Sequence, residues 1–383
     1  MPSLFDPFDL GHVRLANRIV MAPMTRSRAR NSELAPDADV ALYYAQRAGA
    51  GLIVSEGAPI SVQGRGWAFT PGIYTPAQIV GWRNVADAVH AKGGRIFVQI
   101  WHVGRASHVS HQKDGQAPVS SVDIQAQGVV SLAFDETGEP AYLPQSKPRA
   151  LSVSEISDVI NDFVLAARNA CVAKMDGIEL HAANGYLFEQ FISGSLNNRT
   201  GRYGGASITN RLRFTLETVD AVTAAIGAER IGIRLAPFGR YNDMHPFEGE
   251  GETWLTLAAE LSKRQLAYVH LSDQATLGAE AIPGGFVDKF RRAYSGRLII
   301  AGGFARENAQ LALDAGRADL IAIGRPFISN PDLVERLRNG WPLTAPDRST
   351  FYRGGRNGYT DYPPWDNSAA RSEARWEAAG SKE

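Results

Sequence analysis

The stretch "DGIELHAANGYLFEQF" (176–191) begins as a strand and ends as a helix. Ile178 and Leu180 suit a buried, pleated strand, whereas His181, Asn184 and Tyr186 fall where a turn should follow. The same figure, a short apolar run ending in small or polar residues and leading into a segment of helical period, recurs along the chain. The other runs are "IVMAPM" (19–24), "GLIVSEG" (51–57), "RIFVQIW" (95–101), "IGIRLAP" (231–237), "AYVHLSD" (267–273), "RLIIAGG" (297–303) and "DLIAIGR" (319–325), which makes eight. Helix candidates lie between them at 37–49, 76–92, from Ser154 onward, 207–226, 252–265, 287–294, 306–315 and 331–339. In the helix from Ser154, a plausible N-cap, Ile156, Val159, Ile160, Phe163, Val164 and Ala167 share a face. Near-continuous apolar strands joined by helices predict an α/β fold with a parallel sheet covered on its outside. Eight such units are the number that closes a (β/α)8 TIM barrel. An open doubly wound sheet is the alternative topology.

Residues 104–149 break the rhythm by separating strand three from its helix. Within them "GVVSLAFDETGEPAYL" reads as a hairpin turning at Glu136, Thr137 and Gly138, so a small lid over the barrel mouth is expected. "FDPFDLGHVRLANRI" near the start reads as a second hairpin that could plug the opposite end. The expected organisation is one barrel domain over 1–365, with 366–383 a polar, Ala-rich flexible tail.

The 383 residues are 44% hydrophobic and 21% charged, ordinary values for a chain with a large core. Forty basic and forty acidic residues cancel, so no global field attracts nucleic acid or an anionic membrane. No basic segment followed by an apolar run opens the chain, and nowhere do 18 apolar residues follow one another, so a soluble, cytoplasmic protein is expected. Cys171, the single cysteine, excludes an internal disulfide and reads as small buried filler.

Barrel active sites lie at the C-terminal ends of the strands. Those ends carry Pro23, Met24 and Thr25; Gly57 and Ala58; Gln99 and Trp101; His181, Asn184 and Tyr186; Arg234; Gly302 and Gly303; Gly324 and Arg325. Loops after strands seven and eight are the usual phosphate site of this fold, and glycine lets backbone N–H groups approach phosphate oxygens. Gly302 and Gly303 could equally make a tight turn, but Arg325 beside the second turn favours a phosphorylated ligand. Gln99 offers donor and acceptor and Arg234 only donors, a pairing suited to the polar edge of a flat heterocycle, or else to barrel-lining carboxylates. His181 and Asn184 could converge on an oxygen gaining negative charge, and Tyr186 is a weak acid suited to a desolvated proton transfer. The same trio could instead cap the strand. No G-x-S-x-G elbow, P-loop or G-x-G-x-x-G fingerprint occurs. His102, His108 and His111 lack the spacing of a zinc site, so no metal is expected.

With these residues assembled, the chain resembles the old yellow enzyme family of FMN-dependent ene-reductases, nearest to the bacterial branch that includes pentaerythritol tetranitrate reductase and N-ethylmaleimide reductase. The markers, spread from about Leu4 to Trp365, are "NRIVMAPMTR", "FVQIWHVGR", "GIELHAANGYLFEQF", "NRTGRYGG", "AGGF", "IAIGRPFISNPDL" and "GYTDYP". The resemblance implies tightly but non-covalently bound FMN. Thr25 would bond the flavin carbonyl near the reactive nitrogen N5 and tune its potential, with Gln99 and Arg234 at the pyrimidine edge and Pro23, Met24 and Ala58 around the ring. Gly302, Gly303, Gly324 and Arg325 would hold its phosphate. It implies that His181 and Asn184 bind the substrate oxygen, that Tyr186 protonates the neighbouring carbon, and that Trp67, Trp101 and Tyr352 shape the pocket, Tyr352 also beside the cofactor. Trp67 stands where close relatives have tyrosine, and Asn184 where many have a second histidine.

The implied activity is reduction of an activated alkene, an α,β-unsaturated carbonyl or nitro compound, with NADPH or NADH as reductant. Nitro compounds and nitrate esters are further substrates to expect, and the protein would be a monomer or homodimer. The rival readings are a flavin-free barrel lyase or isomerase acting on a phosphorylated substrate, and a non-catalytic FMN-binding module.

Overall fold

The computed structural model describes residues 2–278, 280–352 and 354–366, so the expected tail from 367 onward lies outside the described residues. Strand one is Ile19–Met21, strand two Leu52–Pro59, strand three Ile96–Trp101 and strand four Gly177–Ala182. Strand five is Ile231–Leu235, six Tyr268–Ser272, seven Leu298–Ala301 and eight Leu320–Ile323. All eight pair in parallel and close into a barrel, the last pairing running from Ile321 to Ile19. Strands one, seven and eight are shorter than their apolar runs, because Pro23, Gly302, Gly303, Gly324 and Arg325 have already left the sheet.

Each connection supplies a helix: Ala38–Gln46, Pro76–His90, Val153–Val172, Ile208–Ile226, Glu250–Ser262, Phe286–Ala293 and Arg306–Asp314. The eighth is split into Pro326–Ser329 and Leu333–Asn339. A further short helix, Leu187–Ile192, follows Tyr186 directly. Phe188 and Phe191 lock it outside the barrel, with ring centroids 5.1 and 4.6 Å from Phe214, and Phe188 is 4.9 Å from Phe163.

Two local expectations are corrected. The N-cap of helix Val153–Val172 is Ser152, not Ser154: its hydroxyl accepts from the Glu155 amide while the Glu155 carboxylate accepts from the Ser152 amide. The glutamate three residues on identifies the cap, and Ser154 already sits in the first turn. Cys171 is exposed rather than buried filler, because it lies about 100° around the helix from inward-facing Ala170.

Both hairpins form. Phe8–Leu10 pairs with Val13–Leu15, and Leu10, Val13 and Leu15 pack against Leu52, Phe97, Tyr268 and Leu320 at the N-terminal end of the barrel, as a plug would. Val130–Phe134 pairs with Pro140–Pro144 around the turn at Glu136–Gly138. Its Tyr142 ring meets Trp67, centroids 6.1 Å apart.

Because side chains alternate along a strand, the barrel interior divides into layers. Phe97 and Tyr268 fill the lower layer, their rings 5.8 Å apart. Gly232 makes room there, since a Cβ on it would lie 2.1 Å from the Tyr268 ring. Two residues further on, the same strands present Gln99 and His270, with Glu179 and Arg234 from strands four and five, so the layer above is polar. Trp101, His181 and Ser272 come next, at the mouth.

Candidate active site

The turn after strand four is held by its neighbours. Asn184 (φ 62°) and Gly185 (φ 70°) both adopt the left-handed region, and a Cβ on Gly185 would lie 2.4 Å from the Tyr241 carbonyl oxygen, which requires glycine. The Gly185 peptide is gripped from both ends by the following helix: its N–H donates to a carboxyl oxygen of Glu189, and its C=O accepts from Gln190 Nε2 at 2.8 Å. Asn242 Nδ2 donates to the Asn184 carbonyl at 2.9 Å. This reversal carries Tyr186 back beside His181, with ring centroids 5.0 Å apart. Trp101 lies parallel to His181 at 5.9 Å and edge-on to Tyr186 at 5.0 Å.

The protonation states at this mouth follow from burial. His181 is lowered well below the usual imidazole value, first by burial and then by the charges of Arg234 and His270, so it is neutral. Tyr186 is pushed well above the ordinary phenol value by burial, with Tyr241 and Tyr352 adding and a hydrogen bond from Asn242 opposing, so it keeps its proton. His181 Nδ1, Trp101 Nε1 and Trp67 Nε1 are buried without a hydrogen-bond partner among the described residues.

Below them, Glu179 organises the polar layer. It accepts from Gln99 Nε2 at 2.7 Å, from the Tyr268 hydroxyl at 3.0 Å and from His270 Nδ1 at 2.9 Å. Burial pushes Glu179 upward, but His270, Arg234 and Gln99 outweigh it and leave the group below the usual carboxylate range. Burial lowers His270 against the pull of Glu179, to which its ring Nδ1 is bonded. Since a carboxylate only accepts, Gln99 must turn its NH2 towards Glu179, and Oε1 remains as its acceptor. Arg234 donates to Ser272 Oγ at 2.8 Å and keeps a buried Nε without a partner among the described residues. One acceptor and one unspent cationic donor at the base of the mouth fit a flat ring whose edge carries both N–H and C=O, as the FMN pyrimidine does.

The remaining candidates lie in or just beyond strands one, two, seven and eight, with Tyr352 in the segment near the C-terminal end of the described chain. Pro23, Met24 and Thr25 are half-buried, and a Cβ on neighbouring Gly324 would lie 3.6 Å from Met24 Sδ. Ala58 is fully buried. Gly302 and Gly303 are exposed, and Gly303 has φ +75°, which leaves its backbone open to an anion. Arg325 is also exposed and donates to the Thr276 carbonyl. Tyr352 faces Trp67, centroids 5.4 Å apart. The three histidines considered for zinc have other work: His102 Nδ1 accepts from the Gly104 amide, His108 Nδ1 accepts from the Ser110 amide, and His111 Nε2 meets the Leu132 carbonyl. Among the described residues no group of three or more His, Cys, Asp or Glu could hold a metal ion.

The family model for NADH:flavin oxidoreductase / NADH oxidase matches residues 3–344. The chain belongs to that family. Relatives within it include 12-oxophytodienoate reductase 1 of Oryza sativa subsp. japonica, 43% identical over 367 residues, 94% of this chain and 92% of that protein. Among solved structures, morphinone reductase superposes with a TM-score of 0.93 at 46% identity, covering 96% of this chain and 97% of its own. Morphinone reductase in complex with tetrahydroNAD gives 0.91 at the same identity, over 96% and 99% of the two chains. The old yellow enzyme homologue from Zymomonas mobilis gives 0.89 at 38% identity, over 95% and 100%. The resemblance to the old yellow enzyme family is therefore correct, and with it FMN as cofactor and a nicotinamide as reductant. A flavin-free lyase or isomerase is not favoured.

Sequence reasoning missed the residues behind this family's mouth. Glu179 was visible as a charge inside an apolar strand, and that was its signal. Glu189 and Gln190 sit in the quoted stretch but act backwards on its turn, which spacing does not reveal. Arg26 closes the "NRIVMAPMTR" marker and Arg28 lies two residues beyond it, but neither was singled out. Arg26 Nε donates to the Phe351 carbonyl at 3.1 Å and Arg28 Nη2 to the Thr350 carbonyl at 2.7 Å, pinning the segment that bears Tyr352.

Proposed function

We propose that His181 and Asn184 hold the carbonyl or nitro oxygen of an activated alkene while Tyr186 Oη delivers a proton to the α-carbon. The protein is a flavin-dependent oxidoreductase acting on activated C=C bonds. Bound there, FMN would supply the hydride chemistry between the reduced nicotinamide and the β-carbon. Gln99 and Arg234 would hold its pyrimidine edge, Thr25 would lie near its reactive nitrogen N5, and Pro23, Met24 and Ala58 would flank its ring. Gly302, Gly303, Gly324 and Arg325 would hold its phosphate.

The observation that carries the reading is that strand four and its turn bring a neutral imidazole and a protonated phenol within 5.0 Å of each other, against Trp101. A neutral imidazole polarises the substrate oxygen without placing a second cation beside Arg234, and the buried phenol releases its proton only to a strongly basic carbon. Trp67, Trp101 and Tyr352 would shape the pocket, with residues 130–144 forming a lid. Small enones, enals, maleimides and nitroalkenes fit this chemistry, with NADPH or NADH as donor. We read residues 1–365 as a single unit working as a monomer or homodimer in the cytoplasm. Among the described residues no helix is long and apolar enough to cross a membrane.

The test is Tyr186→Phe followed in two separate half-reactions. Alkene reduction should slow by roughly 10²-fold or more, the range for a lost general acid, while flavin reduction by the nicotinamide stays within about twofold. Equal slowing of both halves would remove Tyr186 from the role of proton donor.

A further inference from the structure

An amide side chain near a substrate oxygen helps only if it presents its NH2. Asn184 could turn either way, and backbone geometry alone does not choose. The choice is made one layer out, at Gln274, which is 2% exposed in the loop after strand six. Gln274 Oε1 accepts from two backbone amides, Arg240 N–H at 2.9 Å and Tyr241 N–H at 3.2 Å. Backbone N–H groups cannot become acceptors, so the reverse orientation of Gln274 would set its NH2 against two donors. The NH2 of Gln274 must therefore point the other way, and there Nε2 meets Asn184 Oδ1 at 3.0 Å. A Cβ on Gly239 would lie 2.8 Å from Gln274 Nε2, so the glycine leaves the space in which that amide sits.

We infer that Gln274 is a positioning residue: it takes up the oxygen of Asn184 and thereby commits the Asn184 NH2 to the substrate oxygen. The relay has a fixed polarity, from the Arg240 and Tyr241 amides to Gln274 and from Gln274 to Asn184. The Asn184 backbone is tied separately through Asn242 Nδ2, which leaves rotation of the side-chain amide as the freedom that Gln274 removes. The inference rests on the proposed role of Asn184.

The experiment compares Gln274→Glu with Gln274→Ala, alone and with Asn184→Ala, in the flavin-loaded enzyme with a small enone as substrate. A carboxylate at 274 can still accept from both backbone amides, but it must also accept from Asn184, which turns the asparagine oxygen towards the substrate. Gln274→Glu, the near-isosteric change, should therefore be the more damaging: about 10²-fold in kcat/KM, the loss expected for a removed donor, with the larger part in KM. Gln274→Ala frees the amide to rotate and should cost about tenfold or less. In the Asn184→Ala background the two substitutions should become equivalent. Flavin absorbance and thermal midpoints measured alongside identify a variant that fails to fold, in which case Gln274→Met replaces the alanine. A purely structural role predicts the opposite order, with glutamate milder than alanine, and that order would overturn the inference. So would a glutamate effect that persists undiminished in the Asn184→Ala background. If Asn184→Ala alone leaves turnover unchanged, the role of Asn184 fails first and the relay loses its purpose.

Discussion

At the scale of single residues, the mouth is built from groups whose protons burial has already assigned. His181 stays neutral and Tyr186 stays protonated, so the two donors do not compete for charge. The pH dependence follows. An exposed histidine would titrate near 6.5, and a substrate-binding histidine of that kind would place an inflection there. His181 is held far below that value, so kcat/KM for an enone should show no ionisation between about pH 6 and 8 that His181→Ala abolishes. A steady-state pH profile of both proteins checks this, and an inflection near 6.5 lost with the histidine would contradict the neutral assignment. The types of these residues were legible in the sequence, because amide, imidazole and phenol at strand ends are conspicuous. Their orientation was not. The direction of the Asn184 and Gln99 amides depends on Gln274 and Glu179, which lie 90 and 80 residues away along the chain.

At the scale of the element, the turn after strand four is held from behind by its own helix. Glu189 accepts from Gly185 N–H and forms no ion pair among the described residues, while Arg240 donates from Nη1 and Nη2 to Glu250 at 2.9 and 3.0 Å. Burial, with Glu250 adding, raises Glu189 from 4.5 to about 8 against the pull of Gly185, Arg234 and Arg240. An acid raised in this way binds its proton more tightly in the folded protein than in the unfolded chain. Its contribution to stability is fully present below about 4.5 and is lost as pH rises towards about 8. Thermal midpoints of the wild type should therefore fall between pH 5 and pH 9. Glu189→Gln, whose side-chain carbonyl can still accept from Gly185, should flatten that fall and be the more stable protein above pH 8, by an amount on the order of 4 kcal/mol. Glu56, raised by burial to about 7, contributes a residual slope of the same sign. Parallel curves for the two proteins would show that Glu189 is not the titrating group.

The strands, helices and both hairpins were legible at this scale, because the period of the apolar residues and the turn at Glu136–Gly138 carry that information directly. The short helix Leu187–Ile192 was not, since its six residues are too few to show a period. Ser152 was passed over for Ser154 because both are serines before an apolar run, and only the reciprocal bond with Glu155 separates them.

At the scale of the whole molecule, the barrel works as a graded vessel: an apolar lower layer sealed by the N-terminal hairpin, a polar layer organised by Glu179, and an aromatic mouth. Eight repeats of one pattern made the barrel readable, whereas its layering arises only when strands distant in sequence set their alternate residues side by side. The account depends on the polar layer serving the edge of a redox ring and on the mouth above it serving an alkene. The most direct test is the absorption spectrum of the purified protein under anaerobic conditions, recorded alone, after a reduced nicotinamide, and after a small enone. The account predicts a yellow protein whose flavin bands bleach with the nicotinamide and return with the enone in equal amount. A colourless protein that takes up no added FMN, or a bound flavin that bleaches but is not reoxidised by any activated alkene, would contradict it.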